Sequence, residues 1–364
     1  MNTHLTKFAI FMAILLLVTP PAVTSAGDDG PLAGLKRIDF NGSFHRAIKT
    51  RDGFMAIVSG ATTRLPGPLD TRVVVLSQEG AEVFARTPGI DVPDAWLVNV
   101  MGAALRAPNA LVVSAFVRTG QPEAGPLRPS ERDAAFLLEY ELSTGKLVYA
   151  VTTSPIQCRD LVGDSDGTLW CFGIDLQKGN AKRHDYDLVY RFDRTGKLLG
   201  SSLSRAELPE LSSGREPSAD LRVARAGFLP GEHSVTLLLP AVRQVISFKP
   251  DGSVRDRVTL PEWATPEGAT EDYAIGPGGQ LIAMLAVPGG TDPRRPWRQR
   301  LFRLGPDTTS WVDLGGNLQD FRPGVHLVGA ERTHLLLWVP EPRGFVWFPV
   351  PGSGTSIQAT DAIR

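Results

Sequence analysis

Neighbouring carboxylates at Glu271 and Asp272 are the residues of this 364-residue chain best suited to binding a metal ion. Carboxylate and amide oxygens are the ligands that Ca²⁺ and Mg²⁺ prefer in proteins. Asp160 adds a third carboxylate and Asn99 adds a side-chain amide, both distant in sequence from the pair. We therefore treat Asp160, Glu271 and Asp272 as candidate ligands of a divalent cation, and we predict no other cofactor.

Two histidines extend this set, because imidazole nitrogens suit a transition metal. Trp96 and two arginines complete a group of residues that each lie close to the start of a candidate strand. We predict that the group lines the mouth of a channel and binds a small polar ligand or a cation. Its members are His45, Trp96, Arg159, Asp160, Arg222, Glu271, Asp272 and His326. The alternative for any single member is a structural role, in which the side chains pair with one another.

No sequence motif for catalysis is present. The chain contains no G-x-S-x-G, H-E-x-x-H, phosphate-binding loop or dinucleotide fingerprint. Residues 164–167, Asp-Ser-Asp-Gly, resemble the start of a calcium loop, but without the remaining ligands they indicate a hairpin turn. We name no catalytic residue and expect a protein without catalytic activity. A metal-dependent hydrolase, lactonase-like enzyme or lyase acting at the channel mouth is the alternative.

A second candidate site is the basic segment 292–300. Arginine and tryptophan are the residue types that dominate protein-binding hot spots. The segment contains Arg294, Arg295, Trp297, Arg298 and Arg300, and we predict that it binds a protein partner. The alternative is a solvated loop whose tryptophan packs on its own sheet. Nucleic acid is excluded as the expected partner, because the formal net charge is only −1.

The two cysteines predict a structural disulfide. Cys158 and Cys171 flank the turn at residues 164–167, six residues before it and four after it. If residues 163 and 167 pair across the hairpin, the cysteines come to lie nearly opposite each other, at a separation that a disulfide can bridge. A metal-binding or catalytic role is disfavoured, because the C-x-x-C spacing is missing.

The N-terminal residues predict export. Lys7 is followed by the apolar run 8–18, then by Pro20-Pro21 and the small residues 24–26, which together are typical of a cleaved signal peptide. We assign 1–26 to the signal peptide, 27–34 to a short linker, 35–350 to the folded domain and 351–364 to a tail. The expected location is periplasmic or extracellular, with no membrane insertion of the mature chain.

A recurring strand and tight turn give the fold. Six segments combine an apolar strand with a Gly or Asp turn, and glycine is favoured there because it adopts positive φ without steric cost. They are 73–80, 136–145, 188–196, 245–252, 301–307 and 345–352. Six turns between them each precede a nearly all-apolar strand, as expected of strands buried between two layers. These strands start near residues 54, 110, 168, 235, 281 and 335.

This double repeat predicts an all-β protein with a single β-propeller of six four-stranded blades. Each repeat then supplies a second and a third strand of one blade. The strand at 35–40 has no partner of its own, and we expect it to complete the last blade and close the ring. A rival closure uses residues 355–360. A β-sandwich or a β-helix is the alternative fold.

Residues 166–170, Asp-Gly-Thr-Leu-Trp, and 188–196, Leu-Val-Tyr-Arg-Phe-Asp-Arg-Thr-Gly, resemble repeats of the six-bladed propellers of the NHL-repeat and TolB-like kind. The resemblance covers most of the mature chain and implies the fold. That superfamily includes binding modules, lactonases and lyases, so it implies no single activity. Lactonase-like members hold a channel cation with acidic and asparagine side chains, a pattern that this chain does not match residue by residue.

The two ends of such a propeller differ in loop length here. The turns between first and second strands, and between third and fourth strands, are all tight and share one end. The long loops 59–70, 118–132, 174–187, 200–220 and 287–300 share the other end, which we call the long-loop end. Long loops on a rigid scaffold often carry binding residues. We therefore predict an exported binding scaffold for a protein or an extracellular ligand.

Overall fold

The structure is a computed structural model. It describes residues 35–40, 46–49, 55–59, 69, 71–77, 79–107, 109–120, 133–180, 185–208, 227–229, 235–263, 271–276, 279–292, 295–305, 308, 310–314, 324–330, 333–340 and 342–350. All of them belong to one compact unit, Leu35–Arg364.

The described residues form six antiparallel sheets of four strands each, which we number I to VI along the chain. Sheet I contains β2 (Arg46–Lys49), β3 (Met55–Ser59), β4 (Arg72–Leu76) and β5 (Glu82–Arg86). Sheet II contains β6 (Ala95–Arg106), β7 (Ala110–Thr119), β8 (Asp133–Glu141) and β9 (Leu147–Thr152). Sheet III contains β10 (Ile156–Gly163), β11 (Leu169–Asp175), β12 (Asp187–Phe192) and β13 (Leu198–Ser204).

Sheets IV to VI follow the same order of strands. Sheet IV contains β14 (Gly227–Leu229), β15 (Thr236–Leu239), β16 (Gln244–Phe248) and β17 (Val254–Thr259). Sheet V contains β18 (Asp272–Ile275), β19 (Leu281–Asp292), β20 (Arg295–Leu304) and β21 (Trp311–Asp313). Sheet VI contains β22 (His326–Ala330), β23 (His334–Pro340) and β24 (Arg343–Pro349), and its fourth strand is β1 (Arg37–Asp39).

The sheets are arranged as a β-propeller. The first strand of each sheet contacts the first strand of the next, in the order β2, β6, β10, β14, β18 and β22, and β22 in turn contacts β2. These first strands are therefore the innermost strands. The outer strand of sheet VI comes from the N-terminal part of the chain, where Arg37, Ile38 and Asp39 pair antiparallel with Val346, Phe345 and Gly344.

The turn glycines show how neighbouring sheets pack. Gly80, Gly145 and Gly196 lie between the third and fourth strands of sheets I, II and III, and all have positive φ. An added Cβ would lie 2.9 Å from Ile38 at Gly80, 2.6 Å from Phe84 at Gly145 and 2.5 Å from Val151 at Gly196. Each turn thus packs against the outer strand of the preceding sheet, including β1 before sheet I. Glycine is needed there for two reasons, the φ angle and the lack of space.

The core lies between the sheets, as the apolar second strands predict. Leu111, Val112 and Val113 of β7 are fully buried, and so are Leu335, Leu336 and Leu337 of β23. A strand with another sheet on each face cannot alternate apolar and polar residues, which explains its continuous apolar sequence.

Cys158 and Cys171 form the predicted disulfide, with Cα atoms 5.3 Å apart. The expected register is wrong, however. Cys158 pairs with Gly173 and Cys171 pairs with Leu161, because Gly163 pairs with Leu169 and not with Gly167. The register shift of β10 between residues 158 and 160 offsets this difference only in part. The bridge therefore joins the two strands diagonally, and both cysteines are buried in an apolar cluster.

Two of the predicted long loops contain regular structure. Residues 287–300 belong largely to β19 and β20, which continue as a hairpin until Asp292 pairs with Arg295. Residues 174–187 include a short helix, α1 (Leu176–Asn180). Most of 59–70, 118–132 and 200–220 lies outside the described residues, as do the predicted signal peptide, linker and tail and the rival closing strand at 355–360.

Candidate functional site

The structure describes six of the eight residues predicted for the channel mouth, and each lies on or beside an innermost strand. Trp96 is on β6, Arg159 and Asp160 are on β10, Glu271 and Asp272 are at the start of β18, and His326 begins β22. His45 and Arg222 lie outside the described residues. Among the described residues, no three His, Cys, Asp or Glu side chains lie close enough together to hold a metal ion.

Asp160 joins two sheets through its carboxylate. The residue is 2% exposed. Its Oδ1 accepts the Leu161 N–H at 2.7 Å, and its Oδ2 accepts the N–H of Phe228 on β14 at 2.6 Å. A Cβ added at Gly227 would lie 2.4 Å from the same Oδ2. This carboxylate is therefore a connection between sheets III and IV, and Gly227 leaves the space that it occupies.

Asp272 makes the equivalent connection between sheets V and VI. Its Oδ2 accepts the N–H of Leu327 on β22 at 3.2 Å and lies 3.1 Å from Nδ1 of His326. The side chains of Asp272 and His326 are 20% and 32% exposed. Asp272 and His326 are thus two predicted channel-mouth residues that the fold brings into contact across two sheets. Both side chains are partly accessible to solvent.

Glu271 has a local partner. Its Oε2 accepts a hydrogen bond from the Tyr273 hydroxyl at 2.9 Å. Tyr273 packs against Trp311 at a ring-centroid distance of 6.3 Å. Burial, reinforced by the charge of Glu271 and by this hydrogen bond, raises the pKa of Tyr273, so the hydroxyl remains a donor well above neutral pH.

Trp96 belongs to a cluster at the long-loop end of sheet II. Arg118 forms a two-pronged ion pair with Asp133, with distances of 2.5 and 2.8 Å, and its guanidinium lies 6.0 Å from the Trp96 ring. Trp96 also lines a surface cleft with residues 93–95, 119 and 120. Arg118 and Asp133 were not predicted from the sequence, because their pairing requires the alignment of β7 with β8.

The Arg/Trp segment lies on a hairpin. Arg295, Trp297, Arg298 and Arg300 are all residues of β20, whereas Arg294 lies outside the described residues. Across the hairpin, Trp297 pairs with Pro288, Arg298 with Val287 and Arg300 with Leu285. Arg300 Nη1 lies 2.9 Å from Asp313 Oδ2, so this arginine has an ion-pair partner on β21.

A buried ion pair between Arg106 and Glu139 was not predicted either. Their side chains are nearly inaccessible. Arg106 also donates hydrogen bonds to the carbonyl oxygens of Asp193 at 3.2 Å and Arg194 at 3.1 Å, and its guanidinium lies 5.6 Å from the Tyr149 ring. The group thus links sheet II to sheet III, and it lines a cleft of about 540 Å³ between them.

No described helix has the length and apolar character needed to cross a bilayer. No family model matches the sequence, and no curated protein matches it.

Solved structures with a similar fold include propeller proteins. The chain is similar to a sialidase from Trypanosoma rangeli, with 12% identity, 88% of this chain covered and a TM-score of 0.47. The match covers 59% of the sialidase chain. It is also similar to virginiamycin B lyase from Staphylococcus aureus, with 9% identity, 86% of this chain and 98% of the lyase covered, and a TM-score of 0.39. Similarity at this level concerns the fold alone.

Proposed function

We propose that sheets I to VI are the six blades of one propeller, closed by the pairing of β1 with β24, and that the protein is an exported, non-catalytic binding scaffold. Export follows from the signal-peptide pattern of residues 1–26, and the Cys158–Cys171 disulfide fits an oxidising compartment. The partner is a protein or a small polar ligand bound at the long-loop end.

The observation that carries this proposal is the length of the β19–β20 hairpin. Among the described residues, innermost strand β18 pairs with Leu281–Met284 of β19 alone, and outer strand β21 pairs with Phe302–Leu304 of β20 alone. In the part of the chain that the structure describes, the two strands continue past both neighbours as a two-stranded arm. An arm that projects from a rigid sheet is positioned to contact a partner.

The residues of this arm give the chemistry of the expected partner. Arg295 and Arg298 are residues of the hairpin strand β20, with Trp297 between them, and Arg294 precedes them in the sequence. On the facing strand, the acidic residue Asp292 lies opposite Arg295 in the strand register. Arginine and tryptophan provide bidentate hydrogen bonds and a large apolar contact, so we infer a partner with carboxylate or other anionic groups.

The channel mouth supports the enzyme alternative less well. The carboxylates of Asp160 and Asp272, which would be the metal ligands, accept backbone N–H groups from the neighbouring innermost strand. A carboxylate in that role already has a structural reason to be present. Asp272 and His326, which are in contact and reachable by solvent, are the polar pair that a ligand at this mouth would contact.

A binding experiment with the chain lacking residues 1–26 tests the scaffold. Proteins that crosslink to it in its native secretions or periplasm are quantified for the parent and for the double variant Trp297→Ala/Arg298→Ala. The double variant should lose a specific partner at least ~10-fold. Lys249→Ala is the matched control and should bind normally, because Lys249 is an exposed residue in the turn between β16 and β17, at the end opposite the long-loop end. Equal binding by all three proteins would contradict the assignment of the hairpin.

A further inference from the structure

The outer edges of the six sheets are not equally protected against pairing with another strand. Natural edge strands usually carry charged residues, which oppose pairing with a foreign strand. Such residues are present in β1 (Arg37, Asp39), β5 (Glu82, Arg86), β17 (Arg255, Asp256, Arg257) and β21 (Asp313). By contrast, β9 has the sequence Leu-Val-Tyr-Ala-Val-Thr and β13 has Leu-Leu-Gly-Ser-Ser-Leu-Ser, with no charge and no proline.

These two uncharged edges also carry exposed apolar side chains. Six large apolar residues are exposed among the described residues, and three of them are Val148 on β9 and Leu198 and Leu199 on β13. The edges adjoin each other, because the turn at Gly196 packs against Val151 of β9. The two uncharged strands are therefore neighbours, and the exposed charges between them, Arg194 and Lys197, lie in the turn and not on either strand.

The hydrogen bonds of β9 show which of its backbone groups point away from the sheet. The Thr153 N–H donates to the Ala135 carbonyl, and Glu139 pairs with Tyr149 two rungs further along the sheet. In an antiparallel pair, hydrogen-bonded residues alternate with residues whose N–H and C=O face the other way. Ala150 and Thr152 consequently direct their backbone groups outward, and Val148 lies at the register shift next to Tyr149; all three residues are exposed.

A second copy of this chain fits that edge. If two β9 strands pair antiparallel about a twofold axis at Ala150, Val148 faces Thr152 of the other copy and Tyr149 faces its Val151. No like charges are opposed. The same operation on β17, about Arg257, would place Arg257 against its own copy, which is destabilising. About these axes, the edge of β9 opposes no like charges, as a stable twofold interface requires, whereas that of β17 does.

We propose that the protein forms a twofold dimer in which β9 of each copy pairs antiparallel, joining the two sheets II into one eight-stranded sheet. The exposed side chains of β13 flank this contact. The interface lies on the outer rim of the propeller, so the proposal is independent of the binding function assigned to the long-loop end.

The test is the molar mass of the chain lacking residues 1–26, measured by light scattering and sedimentation up to ~100 µM. The parent should be a dimer. Ala150→Lys places two lysines together at the axis and should weaken the dimer at least ~10-fold. Ala150→Glu should do the same, and an equimolar mixture of the two variants should restore a dimer, because lysine then faces glutamate.

Matched controls distinguish pairing through β9 from association through another surface. Val312→Lys, on the outer strand of sheet V, also adds a lysine at an exposed edge valine and should leave the dimer unchanged. Circular dichroism melts check that each variant is folded, and Val148→Lys replaces Ala150→Lys if the latter is not. A monomeric parent would overturn the proposal and leave the edge to a different partner, and so would a dimer that Ala150→Lys does not weaken.

Discussion

Asp160 and Asp272 occupy the same position in the fold and differ in their surroundings. Both belong to an innermost strand, and both accept a backbone N–H from the next innermost strand, that of Phe228 or that of Leu327. Asp160 is buried, and the residue before its N–H donor is Gly227. Asp272 is partly exposed, and the residue before its N–H donor is His326.

The comparison shows that the same connection between neighbouring sheets can be buried or can remain accessible to solvent. We call the accessible one, at Asp272, the open junction. At the junction of sheets III and IV, the glycine lets the carboxylate approach until it is sealed from solvent. At the junction of sheets V and VI, the histidine ring occupies the equivalent place, accepts or donates at Nδ1 and keeps the carboxylate near the surface. The first junction is therefore suited to stability alone, whereas the second has polar atoms that a ligand could reach.

The largest expected effect is at the buried junction. Asp160→Ala removes the acceptor of two backbone N–H groups, and a buried N–H without a partner is costly, so we expect a loss of about 3 kcal/mol in the free energy of unfolding. Asp272→Ala should cost about 1 kcal/mol, because water can replace the carboxylate. Urea unfolding monitored by tryptophan fluorescence measures both. Equal losses would show that the two junctions do not differ as described.

The second prediction concerns the glycine. Gly227→Ala should destabilise by about 2 kcal/mol, because the new Cβ would lie 2.4 Å from Asp160 Oδ2 and must displace the carboxylate. Gly329→Ala, on the innermost strand of sheet VI, is the matched control, since an added Cβ there meets no atom within 4 Å. The same urea measurement applies. The explanation of Gly227 fails if the double variant with Asp160→Ala is destabilised by the full sum of both single changes.

The third prediction asks whether the open junction holds a metal. Because Asp272 Oδ2 already has two partners, we expect a chelator to leave the melting temperature of the purified protein unchanged. Elemental analysis by mass spectrometry is the companion measurement. A stoichiometric metal, together with a melting temperature that falls on chelation in the parent but not in Asp272→Asn, would move the function to the enzyme alternative.

The contrast between local and long-range information explains what the sequence could predict. The second and third strands of each sheet were predictable, because glycine turns and apolar runs are local signals. Positive φ at Gly145 and Gly252 confirms that argument. The hairpin of β19 and β20 was mistaken for a loop because Pro288 and Pro296 are poor strand formers, although they occur where the hairpin extends past its neighbours.

The site was less predictable, because its contacts cross between sheets. The sequence indicated that Asp160 and Asp272 matter, but not that each accepts an N–H group more than 50 residues away. The ion pair of Arg106 and Glu139 has the same character, since nothing local brings β6 and β8 together across β7. Residue types suggested chemistry, and the contacts between sheets reveal which of these residues have structural partners.

The smallest expected effect is on the stability of the fold at alkaline pH. It concerns Tyr273, which follows Asp272 at the open junction. Its pKa is raised in the folded protein, chiefly by burial and then by Glu271, so the folded state keeps a proton that the unfolded state loses above about pH 10. Stability linked to this proton is present below that pH and is lost as the pH rises further.

Tyr273→Phe removes the titrating group, so its urea midpoint should fall less than that of the parent between about pH 9 and pH 11. Burial also raises the pKa values of Tyr140 and Tyr190, so part of the fall in the urea midpoint should remain in both proteins. An identical fall in parent and variant would mean that the pKa of Tyr273 is not raised in the folded protein.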